Sequence, residues 1–242
     1  MKPGLQTIEK YFQEFDPYLC SVVMDSLNRD AGAQVPLEKS NLVKHLKDQY
    51  KTHPEFAKRI DENLTNVLDP SRIKDPNVMR RILDINLLYT LKFSYTPHLR
   101  IEGKVTGRAL ELLVESILES KLKNFDRFYW EFVDWKGFDY IIVDRERNEW
   151  IVGIQCKTGF VGGFLSYQQE LEKLKDFAGS FSVRRDLIMF CGGVFKSKKE
   201  EIRHAFENEG WEIYYLWRDI NSYKIDESFY EFTNMIEHIV SA

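Results

Sequence analysis

A glutamine and a lysine two residues apart stand in the apolar stretch GIQCKTG, residues 153–159. The apolar and β-branched residues over 149–157 predict a strand with a buried face. Because side chains alternate across a strand, Gln155 and Lys157 point in the same direction. Their face also carries Ile151 and Gly153, and the opposite, core-forming face carries Trp150, Val152, Ile154 and Cys156.

An aspartate lies in the preceding β-rich run, GFDYIIV, which the polar turn DRERN joins to that strand. Such a short connection predicts an antiparallel hairpin. Alternation groups Asp139 with Ile141 and Val143 on one face, and Phe138 with Tyr140 and Ile142 on the other. With the two strands in register, Asp139 is expected beside Gln155 and Lys157 at the open end of the hairpin.

These residue types suit a divalent cation that acts on a phosphate. Mg²⁺ prefers oxygen ligands in octahedral geometry, and the candidates are the Asp139 carboxylate, the Gln155 side-chain carbonyl and the main-chain carbonyl of Cys156. A metal held there polarises a phosphate and helps to generate hydroxide from water. Lys157 would orient that water or stabilise charge on the phosphate oxygens. The alternative is that Gln155 and Lys157 lie on a solvated face, since short D…QxK matches also arise by chance.

The surrounding pattern predicts the elements that position these residues. An amphipathic helix (residues 106–124) precedes the hairpin, and helix, strand, helix and strand follow it over residues 166–217, with a closing helix at 226–240. This order is typical of the α/β class, with a mixed sheet covered by helices. Residues 1–103 predict helices that begin or end at prolines, among them one that starts at Asp75-Pro76 and ends before Pro97.

Composition narrows the class of protein. The 242 residues carry a net charge of −4, so a role with nucleic acid requires a local basic surface rather than a basic chain. The three cysteines include no CxxC pair, which argues against a disulfide framework or a structural zinc site and favours a reducing compartment. The N-terminal residues lack the apolar core of a signal peptide, and no apolar run reaches the length of a membrane span. We therefore expect a cytoplasmic protein.

Residues 104–217 resemble the PD-(D/E)XK nuclease superfamily, and within it the Mrr-like restriction endonucleases that carry glutamine at the acidic motif position. The matching segments are ALELLVESIL for the first helix, GFDYIIV for the motif aspartate and VGIQCKTG for the QxK strand. Residues 186–216 resemble the later strand, glycine turn, helix and final strand. The chain departs from the motif in lacking a proline before Asp139, and DWKGFD matches the glycine-rich approach to the aspartate only loosely.

The resemblance implies a restriction-endonuclease-like sheet and Mg²⁺-dependent cleavage of DNA, with Mn²⁺ as a substitute metal. It assigns Asp139 and Gln155 as metal ligands and Lys157 as the catalytic lysine. Glu111 matches the acid of the first helix and is expected as a further metal ligand. Glu115 lies one helical turn from Glu111 and shares its face, so it is the alternative acid. Both glutamates would be ordinary surface residues if this face of the helix is solvated.

Together these features predict two parts: a helical DNA-binding or dimerisation region (residues 1–103) and a nuclease domain (residues 104–242). The expected activity is that of a type II-like, site-specific endonuclease that cuts double-stranded DNA. Since cutting both strands at one site usually takes two active sites, we expect a homodimer. The alternatives are a structure-specific repair or recombination nuclease, and a catalytically silent nuclease fold that only binds DNA.

Overall fold

The computed structural model describes residues 72–94, 103–135, 137–159, 164–178, 186–219 and 224–241, with scattered positions between 44 and 61. Of the helices predicted for residues 1–103, those before residue 44 lie outside the described residues. The chain divides into two compact units, Met1–Ala109 and Leu110–Ala242. The division between Ala109 and Leu110 lies within the helix Gly103–Leu122, and the boundary predicted between residues 103 and 104 falls at the start of that helix.

Within the first unit, helix α1 spans Pro76–Ser94, in agreement with the helix predicted to begin at Asp75-Pro76. The Asp75 carboxylate accepts hydrogen bonds from the main-chain N–H groups of Asn77 and Val78, at 2.9 and 3.2 Å. Proline suits the first helical position because its missing N–H would have no partner there. The buried side of α1 carries Ile82, Ile85 and Leu88, which have no exposed surface.

The second unit is built around a mixed sheet. Its elements are α2 (Gly103–Leu122, which begins in the first unit), β1 (Phe128–Trp135), β2 (Phe138–Asp144), β3 (Glu149–Lys157), α3 (Phe164–Ala178), β4 (Asp186–Cys191), a 3₁₀ turn (Lys196–Lys198), α4 (Lys199–Glu207), β5 (Trp211–Tyr215) and α5 (Glu227–Ser241). The predicted α/β class and mixed sheet are confirmed. Strand β1 was not predicted, because its aromatic-rich sequence reads equally well as irregular core packing.

The five strands of this sheet lie in chain order, β1-β2-β3-β4-β5. The first three run antiparallel, whereas β3, β4 and β5 are parallel to one another. Parallel neighbours need crossover connections, and α3 and α4 provide them. The carboxyl ends of β3, β4 and β5 therefore meet at one edge of the sheet.

Helices cover both faces of the sheet. On one face, α3 and α4 bury an apolar cluster against β4 and β5: Leu171, Leu174, Leu187, Met189, Ile202, Phe206, Trp211 and Ile213. On the other face, Phe190 and Tyr214 contact Phe232 of α5, and the Tyr140 phenol donates to the main-chain carbonyl of Glu111 in α2. Among the described residues, no helix has the length and apolar character that crossing a membrane requires.

Two side chains lie on the face opposite to the predicted one. In the β2–β3 ladder, Ile142 pairs with Val152 and Val143 with Trp150, so Ile151 is an extra residue that forms a bulge. The bulge turns Trp150 out of the predicted core face and onto the α3–α4 side, where its ring meets Phe138 at 5.3 Å. Phe138 also stacks on Trp211 there, so strict alternation between Phe138 and Tyr140 fails.

Candidate active site at the open end of the hairpin

The approach to Asp139 depends on a glycine. Gly137 has φ +100°, a conformation that side-chain-bearing residues rarely adopt, and it leads directly into β2. The last paired residues of the β2–β3 ladder at this end are Tyr140 and Ile154. Beyond them, the Asp139 Oδ2 atom accepts a hydrogen bond from the main-chain N–H of Cys156 at 2.6 Å. The carboxylate thus occupies the place where a carbonyl of β2 would otherwise continue the ladder.

The Gln155 side chain links the Asp139 carboxylate to the main-chain carbonyl of Cys156. Its side chain is buried, and its Nε2 donates to Asp139 Oδ2 at 2.8 Å and to the main-chain carbonyl of Cys156 at 3.3 Å. The amide oxygen faces the Gly137 side of the site. The Gln155 amide nitrogen therefore joins two of the predicted ligands, the Asp139 carboxylate and the Cys156 carbonyl, while the predicted Gln155 ligand, its amide oxygen, is turned toward Gly137.

Lys157 continues along the same face of β3 and meets a residue of α3. Its Nζ lies 3.0 Å from the Oε1 atom of Glu170, whose other carboxylate oxygen is 3.7 Å from the Nζ of Lys173. The Glu170 side chain is only 14% exposed, compared with 35% for Lys157 and 74% for Lys173. A largely buried carboxylate thus holds the Lys157 ammonium group over the sheet, because burial strengthens attraction between opposite charges.

The two glutamates of α2 lie on the opposite side of β3. Glu115 reaches the Tyr140 hydroxyl at 3.4 Å, and the same hydroxyl donates to the Glu111 main-chain carbonyl at 3.1 Å. Burial raises the pKa of the Cys156 thiol well above its ordinary value, and the negative charges of Asp139 and Glu111 raise it further, while Lys157 lowers it. Of the two glutamates, Glu111 is the one whose charge acts on the thiol beside Asp139.

The oxygen-bearing groups of this site are of the kind that bind a hard cation, but few of them are charged. No group of three or more His, Cys, Asp or Glu side chains that could hold a metal occurs in the part of the chain that the structure describes. The oxygens of the site are instead one carboxylate, one amide and one main-chain carbonyl. The Gln155 amide nitrogen already bridges the other two, and reversing the amide would present its oxygen to the same place, an orientation that hydrogen bonding decides.

The site lies where the parallel strands end. Lys157 pairs with Cys191 of β4, and its main-chain carbonyl accepts a hydrogen bond from Gly192 at 2.7 Å. In open α/β sheets, ligands bind outside the carboxyl ends of parallel strands. This position brings the main chain of Lys157 against the segment that follows β4.

Glu170 is the site residue that the sequence reading missed, although a signal for it exists. Tyr167, Leu171 and Leu174 form the buried stripe of α3, and Glu170 lies on that stripe, three residues after Tyr167 and four before Leu174. A carboxylate on an apolar stripe calls for a partner.

No protein-family model, curated protein or solved structure matches this chain, so its function is argued from the chemistry of the site.

Proposed function

We propose that the chain is a Mg²⁺-dependent endonuclease of the PD-(D/E)XK type, with a restriction-endonuclease-like core in its second unit. The observation that carries the proposal is the convergence of Asp139, Gln155 and the Cys156 carbonyl at the end of the hairpin, with the Lys157 side chain on the same face of β3 as Gln155. Oxygen ligands beside a lysine suit a phosphodiester, which carries negative charge and is hydrolysed by water.

Each residue has a defined part in this proposal. Asp139, Gln155 and the Cys156 carbonyl would hold Mg²⁺, with Mn²⁺ as a substitute, and Glu111 would add negative charge from the α2 side. When bound, the metal would polarise the phosphate and acidify a water molecule. Lys157 would donate a hydrogen bond to the phosphate or to the attacking water. Glu170 would act through Lys157, as a positioning residue that fixes the ammonium group.

The proposed substrate is double-stranded DNA, cut in the manner of a type II-like, site-specific enzyme. One site per chain and two strands to cut favour a homodimer with two-fold symmetry. Residues 1–103 would then contribute helices to DNA binding or to dimerisation. The molar mass measured by light scattering tests the dimer directly: a monomeric mass with and without DNA would contradict it.

The decisive experiment is digestion of a long unmethylated duplex by the purified chain, with and without Mg²⁺. We expect Mg²⁺-dependent cleavage that Asp139→Ala and Lys157→Ala each reduce by about 100- to 1,000-fold. The matched controls are Lys173→Ala, which removes an exposed lysine bound to the same glutamate, and Asp186→Ala, which removes an exposed aspartate at the other end of β4. Both controls should cleave like the parent chain.

The pattern of products separates the proposed activity from its alternatives. Discrete bands indicate a site-specific enzyme, whereas nicking or a smear indicates the structure-specific repair activity. A parent chain that binds DNA, cuts none of the substrates and keeps its affinity after Asp139→Ala would indicate a silent nuclease fold. In that case the proposed enzymatic function is wrong.

A further inference from the structure

The segment that follows β4 begins in direct contact with the strand that carries Lys157. Gly192 donates its main-chain N–H to the Lys157 carbonyl at 2.7 Å. A Cβ atom on Gly192 would lie 2.4 Å from the Thr158 main-chain oxygen, so only glycine permits this approach. Residues 192–198, named here the β4 loop, therefore leave the sheet immediately beside the candidate active site.

The β4 loop is held by main-chain hydrogen bonds. Trp217 donates to the Gly192 carbonyl at 2.9 Å, and Lys198 donates to the Phe195 carbonyl at 2.9 Å. The main-chain N–H of Lys196 is bound by the Asp219 carboxylate at 3.0 Å. Phe195 has an extended backbone, with φ −62° and ψ 133°, directly before the 3₁₀ turn. The main chain that carries the Phe195 ring is therefore held in place by hydrogen bonds.

Phe195 and Phe132 are the two large apolar side chains exposed among the described residues, at 43% and 50%. Phe132 lies on the edge strand β1 and packs edge-on against the ring of Tyr140 at 5.5 Å. None of the described aromatic rings packs against Phe195. A single exposed aromatic ring is unremarkable by itself, and what gives the exposure of Phe195 a meaning is its position three residues after Gly192, which is hydrogen-bonded to Lys157.

The lysines of the β4 loop and of the start of α4 differ in whether their ammonium groups form ion pairs. Lys199 is bound by the Asp226 carboxylate, and Lys198 pairs with Glu201 at 2.8 Å. Lys196 is exposed, and its ammonium group has no ion-pair partner among the described residues. The loop thus offers an aromatic ring and an uncommitted positive charge on adjacent residues. This is the combination with which proteins bind unpaired nucleotides, by stacking on a base and neutralising a phosphate.

We propose that Phe195 stacks on an unpaired base and that Lys196 contacts a phosphate beside it, so that the favoured substrate is DNA with an unpaired nucleotide next to the cleaved bond. This inference rests on the nuclease chemistry of the proposed function, and it favours the structure-specific alternative given there, because flaps, mismatches and single-stranded junctions carry such a nucleotide. The three residues from Gly192 to Phe195 span at most about 11 Å, or roughly three base steps of 3.4 Å. In an intact duplex the base faces are covered by their neighbours, which leaves the ring nothing to stack on.

Binding without Mg²⁺ tests the inference apart from cleavage. The probes are two oligonucleotides of the same sequence that carry fluorescent 2-aminopurine, either in an unpaired flap or inside a full duplex. We expect the parent chain to bind the flap more tightly and to quench its fluorescence. Phe195→Ala should weaken flap binding by about 5- to 100-fold and remove the quenching, and Phe195→Trp should restore both. Phe132→Ala is the matched control and should change neither.

Salt dependence tests the part played by Lys196. Lys196→Ala should reduce the slope of log affinity against log salt concentration by about 0.7 to 1, the value for one lost phosphate contact. The matched control is Lys123→Ala, because Lys123 is also exposed and has no ion-pair partner among the described residues. Circular dichroism spectra of all variants should match that of the parent chain.

The outcomes for this inference and for the proposed function are distinct. If Phe195→Ala binds the flap as tightly as the parent chain does, or if the parent chain prefers the full duplex, the inference is wrong even when cleavage occurs. If Phe195 is required for flap binding but no DNA is cut with Mg²⁺, the inference holds and the nuclease proposal fails. A parent chain that binds neither probe overturns the inference, whereas the nuclease proposal is decided by the Mg²⁺-dependent digestion alone.

Discussion

Strand β2 carries an aspartate near each end, and the two are held in different ways. Asp144 is buried, and its Oδ2 accepts from the Arg127 guanidinium at 2.7 and 3.1 Å. Its other oxygen accepts from the main-chain N–H groups of the following turn, those of Glu146 and Arg147. Asp139 accepts hydrogen bonds from two neutral groups, the Cys156 main-chain N–H and the Gln155 amide.

The difference teaches what each carboxylate is suited to do. Asp144 is matched by a full positive charge and by turn donors, which is how a protein uses a buried carboxylate to fix a turn. The Gln155 amide that donates to Asp139 is neutral, and a neutral amide is more easily displaced by a cation than an arginine is. We therefore expect Asp144 to contribute to the stability of the hairpin and Asp139 to the proposed chemistry.

The largest expected effect is the separation of activity from stability at the two ends of β2. Asp139→Asn, which keeps an acceptor oxygen for the Cys156 N–H and the Gln155 amide, should reduce Mg²⁺-dependent cleavage by about 100-fold or more while it leaves the thermal unfolding midpoint close to that of the parent chain. Asp144→Ala should lower the unfolding midpoint, because the Arg127 guanidinium would lose its partner, and should retain cleavage below that midpoint. Cleavage rates and thermal unfolding of both variants check this. Equal loss of activity in the two variants at a temperature where both are folded would contradict it.

Much of this comparison was predictable from sequence. The alternation of apolar residues over 149–157 and the short turn before it predicted the hairpin, and its register places Asp139 against Gln155 as expected. Period-two patterns specify register strongly when one face is buried. The order of the later helices and strands likewise predicted the mixed sheet, because parallel strands require crossover helices.

The parts that escaped prediction depend on tertiary packing. The bulge at Ile151 moved Trp150 to the other face, since one extra residue inverts the alternation beyond it. Strand β1 could not be told from irregular packing by its aromatic content alone. The Lys157–Glu170 ion pair joins a strand to a helix, and sequence spacing does not reveal which side chain of α3 faces that strand.

The next effect concerns that ion pair. Glu170→Gln should reduce cleavage by about tenfold, because the Lys157 ammonium group would lose the charge that positions it. If Glu170 acts only through Lys157, combining it with Lys157→Ala should cost no more than Lys157→Ala alone. Glu170→Asp, which keeps the charge, should recover part of the activity. Additive losses in the double variant would indicate that Glu170 has a separate role, and Glu172→Gln, an exposed neighbour on α3, serves as the control.

A smaller effect is expected from adding charge to the Asp139 end of β2. Gln155→Glu would place a second carboxylate beside Asp139, where the two negative charges repel each other until a cation binds between them. The variant should therefore unfold at a lower temperature than the parent chain without Mg²⁺ and gain more stability when Mg²⁺ is added. We expect about tenfold less Mg²⁺ to be needed for half of that gain, because the charge of the ligands sets affinity for hard cations. The measurement is thermal unfolding over a range of Mg²⁺ concentrations, with Gln168→Glu on α3 as the control. No difference between the two variants would argue against a metal at this place.

The smallest expected effect is the pH dependence of the stability that Asp144 contributes at the other end of β2. Hydrogen bonds from Arg127, with those from the turn, lower the pKa of Asp144 from 3.8 to about 2 against the opposing effect of burial. A carboxyl group whose pKa is lowered by folding stabilises the fold above the unfolded pKa, and that contribution is lost as the pH falls from about 4 toward 2. Asp144→Asn should therefore unfold at less urea than the parent chain at pH 7, and the gap between their midpoints should narrow at pH 3 and below. Asp126→Asn, at an exposed carboxylate, should show no comparable gap at either pH. A gap of the same size at pH 7 and pH 2 would mean that Asp144 stabilises the turn through its shape and not through its charge.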